Sequence, residues 1–314
     1  MSSETTVLWQ IHDDKPGHQN QLRGLTIALA ELIPLEVHTL RAPARRSCLA
    51  SLWSKTFPLG KHLPVPDLIL GAGHATHLAV LAARRSFGGQ AIILMKPSLP
   101  PALFDLCLIP EHDEVAASDR VALTRGVLNV IQPTQHHDEK SGLLLIGGPS
   151  AAHSWSDEQM LKQIVAITSS NLQIHWKLTT SRRTPQSFLS ELAFLSRLAN
   201  NKITNLDVTP HQETTALWVP QQLEQSAQVW VSEESVSMVY EALTSGTAVG
   251  VLDVPEKRRG RVAAGVETLI QTGWATRFGD WQLGSRLTPP PTQLDEARRC
   301  AEIVCQRFLR QSAA

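Results

Sequence analysis

Short apolar runs alternate with helix-length segments along the whole of this 314-residue chain. That alternation admits few folds, because a strand–helix–strand repeat packs as parallel βαβ units. In the first half, residues 7–11, 35–40, 67–70, 91–95 and 106–109 read as strands. Residues 19–33, 47–54 and 75–86 read as helices. Residues 132–142 have no apolar period and are rich in turn formers, so they read as a linker. The second half restarts with a strand at 143–146. Helices follow at 157–169, 185–198, 236–244, 261–272 and 294–309, with strands at 173–178, 229–231 and 249–254. The length suits two domains of roughly 150 residues each. The expected fold class is therefore α/β, with two Rossmann-like domains (1–135 and 140–314) facing each other across a cleft.

Composition narrows the function classes. Hydrophobic content of 42% with 18% charge is that of a globular protein. The formal net charge is zero, so nothing in the bulk electrostatics points to nucleic acid. No run of about 18 apolar residues exists to span a bilayer. The N-terminus lacks the basic-then-apolar order of a signal peptide. Cys48, Cys107, Cys300 and Cys305 form no Cys-x-x-Cys pair, so a reduced, cytoplasmic chain is expected.

The turn after the first strand carries His12, Asp13, Asp14, Lys15, Pro16, Gly17 and His18. A turn needs only the Pro-Gly. Asp14 and His18 are residue types that take a proton from a hydroxyl, and Lys15 and the following helix N-terminus suit an anion. The alternative is a capped turn with solvated charges. No compact set of three or four metal ligands accompanies the histidines, so no metal is expected. Gly71-Ala72-Gly73 ends another strand, with His74 and His77 expected on one helical face. Its glycines suit either close ligand approach or close packing.

Four further stretches carry chemistry. Gly147, Gly148, Pro149 and Ser150 open the second domain as a glycine turn that feeds a ligand phosphate towards a helix. Ser181, Arg182, Arg183 and Thr184 suit a diphosphate or a carboxylate. Glu234, Ser235, Ser237 and Glu241 combine hydroxyls, a helix start and a carboxylate able to accept both hydroxyls of a ribose. Ser235 also reads as an ordinary N-cap. Finally, residues 41–61 hold Arg41, Arg45, Arg46, Lys55 and Lys61 but no acid, interleaved with Leu49, Leu52, Trp53 and Phe57. That pattern suits an anionic membrane surface or an ordinary packed helix. The basic stretch 256–261 suits solvent or ligand phosphate equally.

Taken together, these pieces resemble the family named after the plant mitochondrial fission protein Elm, which has many bacterial members. The matching pieces are Asp14-Lys15-Pro16-Gly17-His18 with Gln21, Gly71-Ala72-Gly73, Gly147-Gly148-Pro149, Ser181-Arg182-Arg183-Thr184-Pro185, and Glu234-Ser235-Val236-Ser237-Met238 with Glu241-Ala242. Glu234 stands where the family pattern has Asp. The resemblance implies a GT-B-like glycosyltransferase with a nucleotide-sugar donor on the second domain and a cell-envelope, lipid-linked or lipopolysaccharide-type acceptor on the first. The last helix is then expected to cross back to the first domain. Asp14 or His18 is the expected base, with Asp13 in a supporting role and Lys15 and Gly17 shaping the turn or meeting the anion. By the same resemblance, Arg182 and Arg183 are expected to offset the leaving diphosphate, Gly147, Gly148, Ser235 and Ser237 to contact nucleotide or phosphates, and Glu241 to hold the ribose. The nucleotide-sugar is then the expected substrate, and no cofactor or metal is expected. Arg45, Arg46, Trp53, Lys55 and Phe57 are the candidates expected to dock the chain at the inner face of the cytoplasmic membrane. A nucleotide-sugar epimerase on the same frame and a non-catalytic nucleotide-binding or membrane-associated adaptor are the alternatives.

Overall fold

The structure is a computed structural model that describes residues 5–197, 204–257 and 261–309. The first sheet is built from β1 (Thr6–His12), β2 (Leu35–Arg41), β3 (Leu68–Ala72), β4 (Gln90–Leu94), β5 (Leu106–Pro110) and β6 (Val121–Thr124). Its connections include α1 (Pro16–Ala30), α2 (Arg45–Ser54) and α3 (His77–Phe87). All its strands are parallel, in the order β2-β1-β3-β4-β5-β6.

Parallel strands covered on both faces must be apolar on both, and they are. Leu8, Leu70, Ile92 and Leu108 pack on one face with Leu22, Leu25 and Leu29 of α1. Trp9, Ile69, Ile93 and Ile109 pack on the other with Val80 and Ala83 of α3. Each such side chain contributes about 1.5–3 kcal/mol by leaving water.

The second sheet holds β7 (Asp138–Leu145), β8 (His175–Thr179), β9 (Leu206–Thr209), β10 (Ser226–Ser232), β11 (Ala248–Leu252) and β12 (Thr276–Arg277). Its helices are α4 (Asp157–Ser170), α5 (Gln186–Arg197), α6 (Trp218–Gln225), α7 (Val236–Ser245), α8 (Arg261–Gln271) and α9 (Phe278–Gln282). The strands are again parallel, in the order β12-β11-β10-β7-β8-β9, the doubly wound Rossmann order.

The chain divides into two compact units, Met1–Val130 with Asp295–Ala314, and Ile131–Leu294. The terminal segment joins the first unit through α10 (Glu296–Val304), whose Cys300, Ala301 and Val304 pack with Leu22, Leu25 and Leu29. The Asp295 carboxylate caps α10 by accepting from the Arg298 N–H at 3.0 Å, and Arg298 pairs with Glu31 at 3.3 Å.

One expected boundary moves. The stretch 132–142 is not all linker, because β7 begins at Asp138. Its polar first residues are exposed, so a strand there needs only backbone pairing, which Ser226 and Gln228 provide. Gly142 reads as a turn former, yet in the sheet it leaves room for the Trp176 ring.

Each sheet reverses its winding at one place, between β1 and β3 in the first and between β7 and β10 in the second. Connections diverge there and leave a crevice at the carboxyl ends of the strands, where open α/β sheets bind ligands.

Candidate functional site

In the first unit, the loops after β1 and β3 flank the switch point. The loop after β1 turns tightly. Asp14 takes a left-handed φ of 64°, which Asp tolerates through local hydrogen bonding. The Asp13 side chain, only 5% exposed, accepts from His18 Nδ1 at 2.9 and 3.0 Å and from the Lys15 N–H at 3.3 Å. Burial alone pushes the Asp13 carboxyl up, but the His18 and Lys15 hydrogen bonds outweigh it and hold it below its usual range. A carboxylate only accepts, so Nδ1 carries the proton and Nε2 is left as the basic nitrogen.

Asp14 and His18, the two candidate bases, take different partners. Asp14, 45% exposed, turns to Arg41 Nε at 2.6 Å and His12 Nδ1 at 3.1 Å. Asp13 is the partner of His18. Gly73 is the seat of the same imidazole: a Cβ there would fall on the His18 ring, and its φ is 82°. Its expected role as a ligand contact becomes a packing role. Lys15 is exposed, and Gly17 lies in the first turn of α1 with open space around it.

Beside this loop lies a cavity of about 450 Å³, whose lining includes Asp13, Asp14, Arg41, Arg45, His74 and His77. His74 precedes α3 and is exposed, whereas His77 is 1% exposed at its start. The two therefore do not share the expected helical face. His77 stacks edge-on against Phe104, and its Nδ1 lies 3.2 Å from Ser98 Oγ. Burial, and secondarily the nearby His74, lower its pKa to about 4, so it is neutral at physiological pH.

In the second unit, the loops after β7 and β10 flank the switch point. The Glu234 side chain is fully buried there. Its Oε1 accepts from the Gly148 N–H at 2.8 Å, Ser235 Oγ at 3.0 Å and Ser232 Oγ at 3.2 Å. Ser232 Oγ in turn accepts from the Gly147 N–H at 2.8 Å. The N–H groups of Gly147 and Gly148 are thus already engaged, which corrects their expected role of meeting phosphate. They are glycines because a Cβ at 147 would fall on Glu234 and one at 148 on the Arg183 backbone.

Ser150 is likewise spent on its own turn, where its hydroxyl accepts from the N–H groups of Ala152 and His153 at 3.2 and 3.0 Å. Pro149 offers its carbonyl to Arg183 Nη1 at 3.4 Å.

Residues 181–184, after β8, brace the glycine turn. Thr184 Oγ1 accepts from the Ser181 N–H at 2.9 Å and donates to the Gly147 carbonyl. Ser181 Oγ accepts from the Arg183 N–H at 3.1 Å. Arg183 Nη2 donates to Ser235 Oγ at 2.9 Å and lies 3.6 Å from Glu234. Arg182 is exposed.

Ser235 is the N-cap residue of α7, but its hydroxyl serves Glu234 and Arg183 instead of capping the helix, and the first turn holds no acid. The N–H groups of Val236, Ser237 and Met238 therefore have no helical acceptor. Exposed Ser237 and the Arg183 guanidinium lie close by, so this end carries the positive end of the helix dipole beside a cation. Glu241 lies one turn further along α7, half-buried. Glu233, the other acid of this turn, accepts from the Val254 N–H at 3.0 Å and pairs with Arg277 at 3.1 Å, so it too is structural.

Of the expected membrane-facing residues, Arg45, Arg46, Trp53 and Lys55 are exposed, Trp53 by 92%. Phe57 is 2% exposed and stacks with Trp9 at 6.3 Å between ring centroids. Its place is in the core, because α2 ends at Ser54 and the chain then turns inward. Arg258, Arg259 and Gly260 of the basic stretch 256–261 lie outside the described residues, while Lys257 Nζ lies 3.3 Å from the Ser150 carbonyl. Among the described residues, no helix is long and apolar enough to cross a membrane.

The chain is similar to known proteins over nearly its whole length. The family profile described as Mitochondrial fission ELM1 matches residues 16–308. The uncharacterized protein RP120 of Rickettsia prowazekii (strain Madrid E) is 22% identical, over 95% of this chain and 97% of its own. Among solved structures, a proposed UDP-N-acetylglucosamine 2-epimerase from Listeria monocytogenes superposes with a TM-score of 0.62 at 12% identity, covering 97% of each chain. The glycotransferase of kitacinnamycin gives a TM-score of 0.54 at 13% identity, over 97% of this chain and all of the other. At such identities the likeness is one of fold, two Rossmann-like units of GT-B type.

Proposed function

The chain belongs to the mitochondrial fission ELM1 family, and with that as premise we propose that it is a GT-B-type glycosyltransferase using a nucleotide-sugar donor. What supports this reading is the arrangement at the two switch points: an imidazole held by a buried carboxylate at one, and an uncapped helix N-terminus beside a guanidinium at the other. The donor diphosphate binds at the N-terminus of α7, against Ser237 and Arg183. Arg183, with Arg182 nearby, offsets the charge of the departing nucleotide, as a fixed cation does where negative charge develops. Those cationic groups provide the countercharge, so transfer proceeds without a divalent ion. Glu241 accepts the ribose hydroxyls.

His18 removes the proton of the acceptor hydroxyl through Nε2, with Asp13 fixing the tautomer and stabilising the imidazolium that forms. Lys15 lies in the same turn and meets acceptor or phosphate. The acceptor is an envelope glycan or a lipid-linked sugar. Arg45, Arg46, Trp53 and Lys55 on the exposed side of α2 bring the protein to an anionic membrane.

Support for the donor class comes from the fold, which is shared with proteins described as acting on UDP-N-acetylglucosamine and as a glycotransferase. The test is turnover of nucleotide-sugars with and without an envelope lipid fraction, in the presence of a chelator. Nucleotide release that depends on the acceptor supports transfer. Conversion of the sugar without an acceptor identifies an epimerase instead. Absence of both, together with absence of nucleotide binding, overturns the enzyme reading.

A further inference from the structure

Asp13 fixes which nitrogen of His18 carries the proton, but hydrogen bonds at one ring atom do not fix the plane of the ring. A second restraint comes from the turn that joins β3 to α3. A Cβ at Gly73 would lie 2.3 Å from His18 Cε1, 2.4 Å from His18 Nδ1 and 3.2 Å from Asp13 Oδ2. The imidazole therefore stands against bare backbone at Gly73. Whatever holds that backbone also holds the ring.

Gly73 takes its left-handed φ with no side chain of its own to keep it there. The turn is closed at the Gly73 carbonyl, which accepts twice, from the Thr76 N–H at 3.1 Å and from Thr76 Oγ1 at 2.8 Å. Thr76 is fully buried, so water does not compete for the hydroxyl. Thr76 is also the N-cap residue of α3. A threonine hydroxyl there ordinarily accepts from an N–H of the first helical turn. This one makes no such bond. The Thr76 backbone, at φ −88° and ψ −18°, departs from the extended form of a capping residue, and the hydroxyl turns back to Gly73. Gly71 makes room for it, because a Cβ at 71 would lie 2.8 Å from Thr76 Oγ1 and 2.7 Å from Val80 Cγ2. The two glycines thus serve one arrangement: the first admits the hydroxyl and the second admits the imidazole.

We propose that Thr76 is a positioning residue for His18, its hydroxyl fixing the Gly73 backbone against which the imidazole is set. The coupling of Thr76 to His18 stands on these contacts alone. Its value for catalysis rests on the glycosyltransferase reading, in which His18 takes the acceptor proton. Arg183 and α7 belong to the other unit, so loss of the hydroxyl leaves donor binding unaltered.

The test reads the ring itself, by nuclear magnetic resonance of the full chain carrying isotopically labelled histidine, with His18→Gln identifying the signal. In the unaltered protein the His18 Nδ1–H, held by Asp13, is expected to exchange slowly with water. Thr76→Val keeps the shape of the side chain and removes the hydroxyl. The Nδ1–H is then expected to exchange about three- to tenfold faster, the factor that losing one hydrogen bond allows. Thr76→Ala removes the same hydroxyl and gives the same reading should the valine variant not fold. Thr76→Ser keeps the hydroxyl and is expected to retain slow exchange, even where the lost methyl lowers Tm. In a transfer assay, Thr76→Val is expected to lower kcat roughly tenfold with the donor KM unchanged. Exchange that Thr76→Val leaves unchanged, or that Thr76→Ser quickens as much, overturns the proposal and leaves Thr76 a merely structural residue. Absence of turnover in the unaltered protein counts against the glycosyltransferase reading alone, because the exchange measurement needs no reaction.

Discussion

Removing the Glu234 carboxylate should loosen the second unit and disable its anion site together. In Glu234→Ala, the Gly148 N–H loses its acceptor, and so do the hydroxyls of Ser232 and Ser235. The buried N–H cannot turn elsewhere, which costs about 1–3 kcal/mol, and each re-aimed hydroxyl gives up roughly 1 kcal/mol. Arg183 is partly exposed, and water replaces much of what it loses. The expected destabilisation is about 3–5 kcal/mol, in line with breaking other buried charged pairs. For a unit of this size that lowers Tm by roughly 6–20 °C.

Glu234→Gln should behave differently. Its amide oxygen still accepts from Gly148, but its NH2 occupies the place of Oε2, which is buried without a partner. A loss of about 1–2 kcal/mol is expected. Thermal unfolding followed by circular dichroism reads both variants, and a nucleotide titration reads the coupled loss at α7. A Tm change below about 2 °C for the alanine variant, or equal effects of the two substitutions, would refute the hub role of Glu234.

Three other outcomes follow from the same structure. Asp13→Asn removes the accept-only partner that fixes the His18 tautomer, so turnover should fall roughly 10³–10⁴-fold while donor affinity holds; Asp14→Asn, whose partner is Arg41, should cost less than about tenfold. Phe57→Ala empties a core position and should cost about 3–5 kcal/mol, whereas Trp53→Ala, on an exposed side chain, should stay within about 0.5 kcal/mol by the same unfolding assay. The His77 pKa of about 4 lies below its ordinary 6.5, so between those values the unfolded chain binds a proton that the native chain refuses. Its contribution to stability is therefore complete above 6.5 and lost as pH falls towards 4, and His77→Phe should flatten the Tm–pH curve across that window.

The fold was largely legible because buried parallel strands are apolar runs and the long helices are amphipathic. What escaped was short or locally polar. β9 and β12 are brief edge strands with little buried surface. α6 begins Trp218-Val219-Pro220, and Pro220 reads as a breaker, although in a first turn its missing N–H has no helical acceptor to lose. The candidate site was legible as stretches but not as pairings. Asp13 and Asp14 are adjacent and alike in sequence; only the left-handed turn at Asp14 decides which one meets His18. Gly147 and Gly148 read as a phosphate cradle because the groups that fill it, Ser232 and Glu234, lie some 85 residues away in sequence. Phe57 shares a sequence stretch with Trp53, and its burial follows from Trp9, on a distant strand.

In the proposed function, the α7 N-terminus with Arg183 holds the phosphates of a nucleotide. Calorimetric titration of the full chain with UDP, CMP and GDP tests it most directly when repeated on Arg183→Gln. At least one nucleoside diphosphate or monophosphate is expected to bind, with affinity falling about tenfold or more in the variant while its fold is retained. Binding that the variant leaves unchanged, or no binding of any of the three by the unaltered protein, would contradict it.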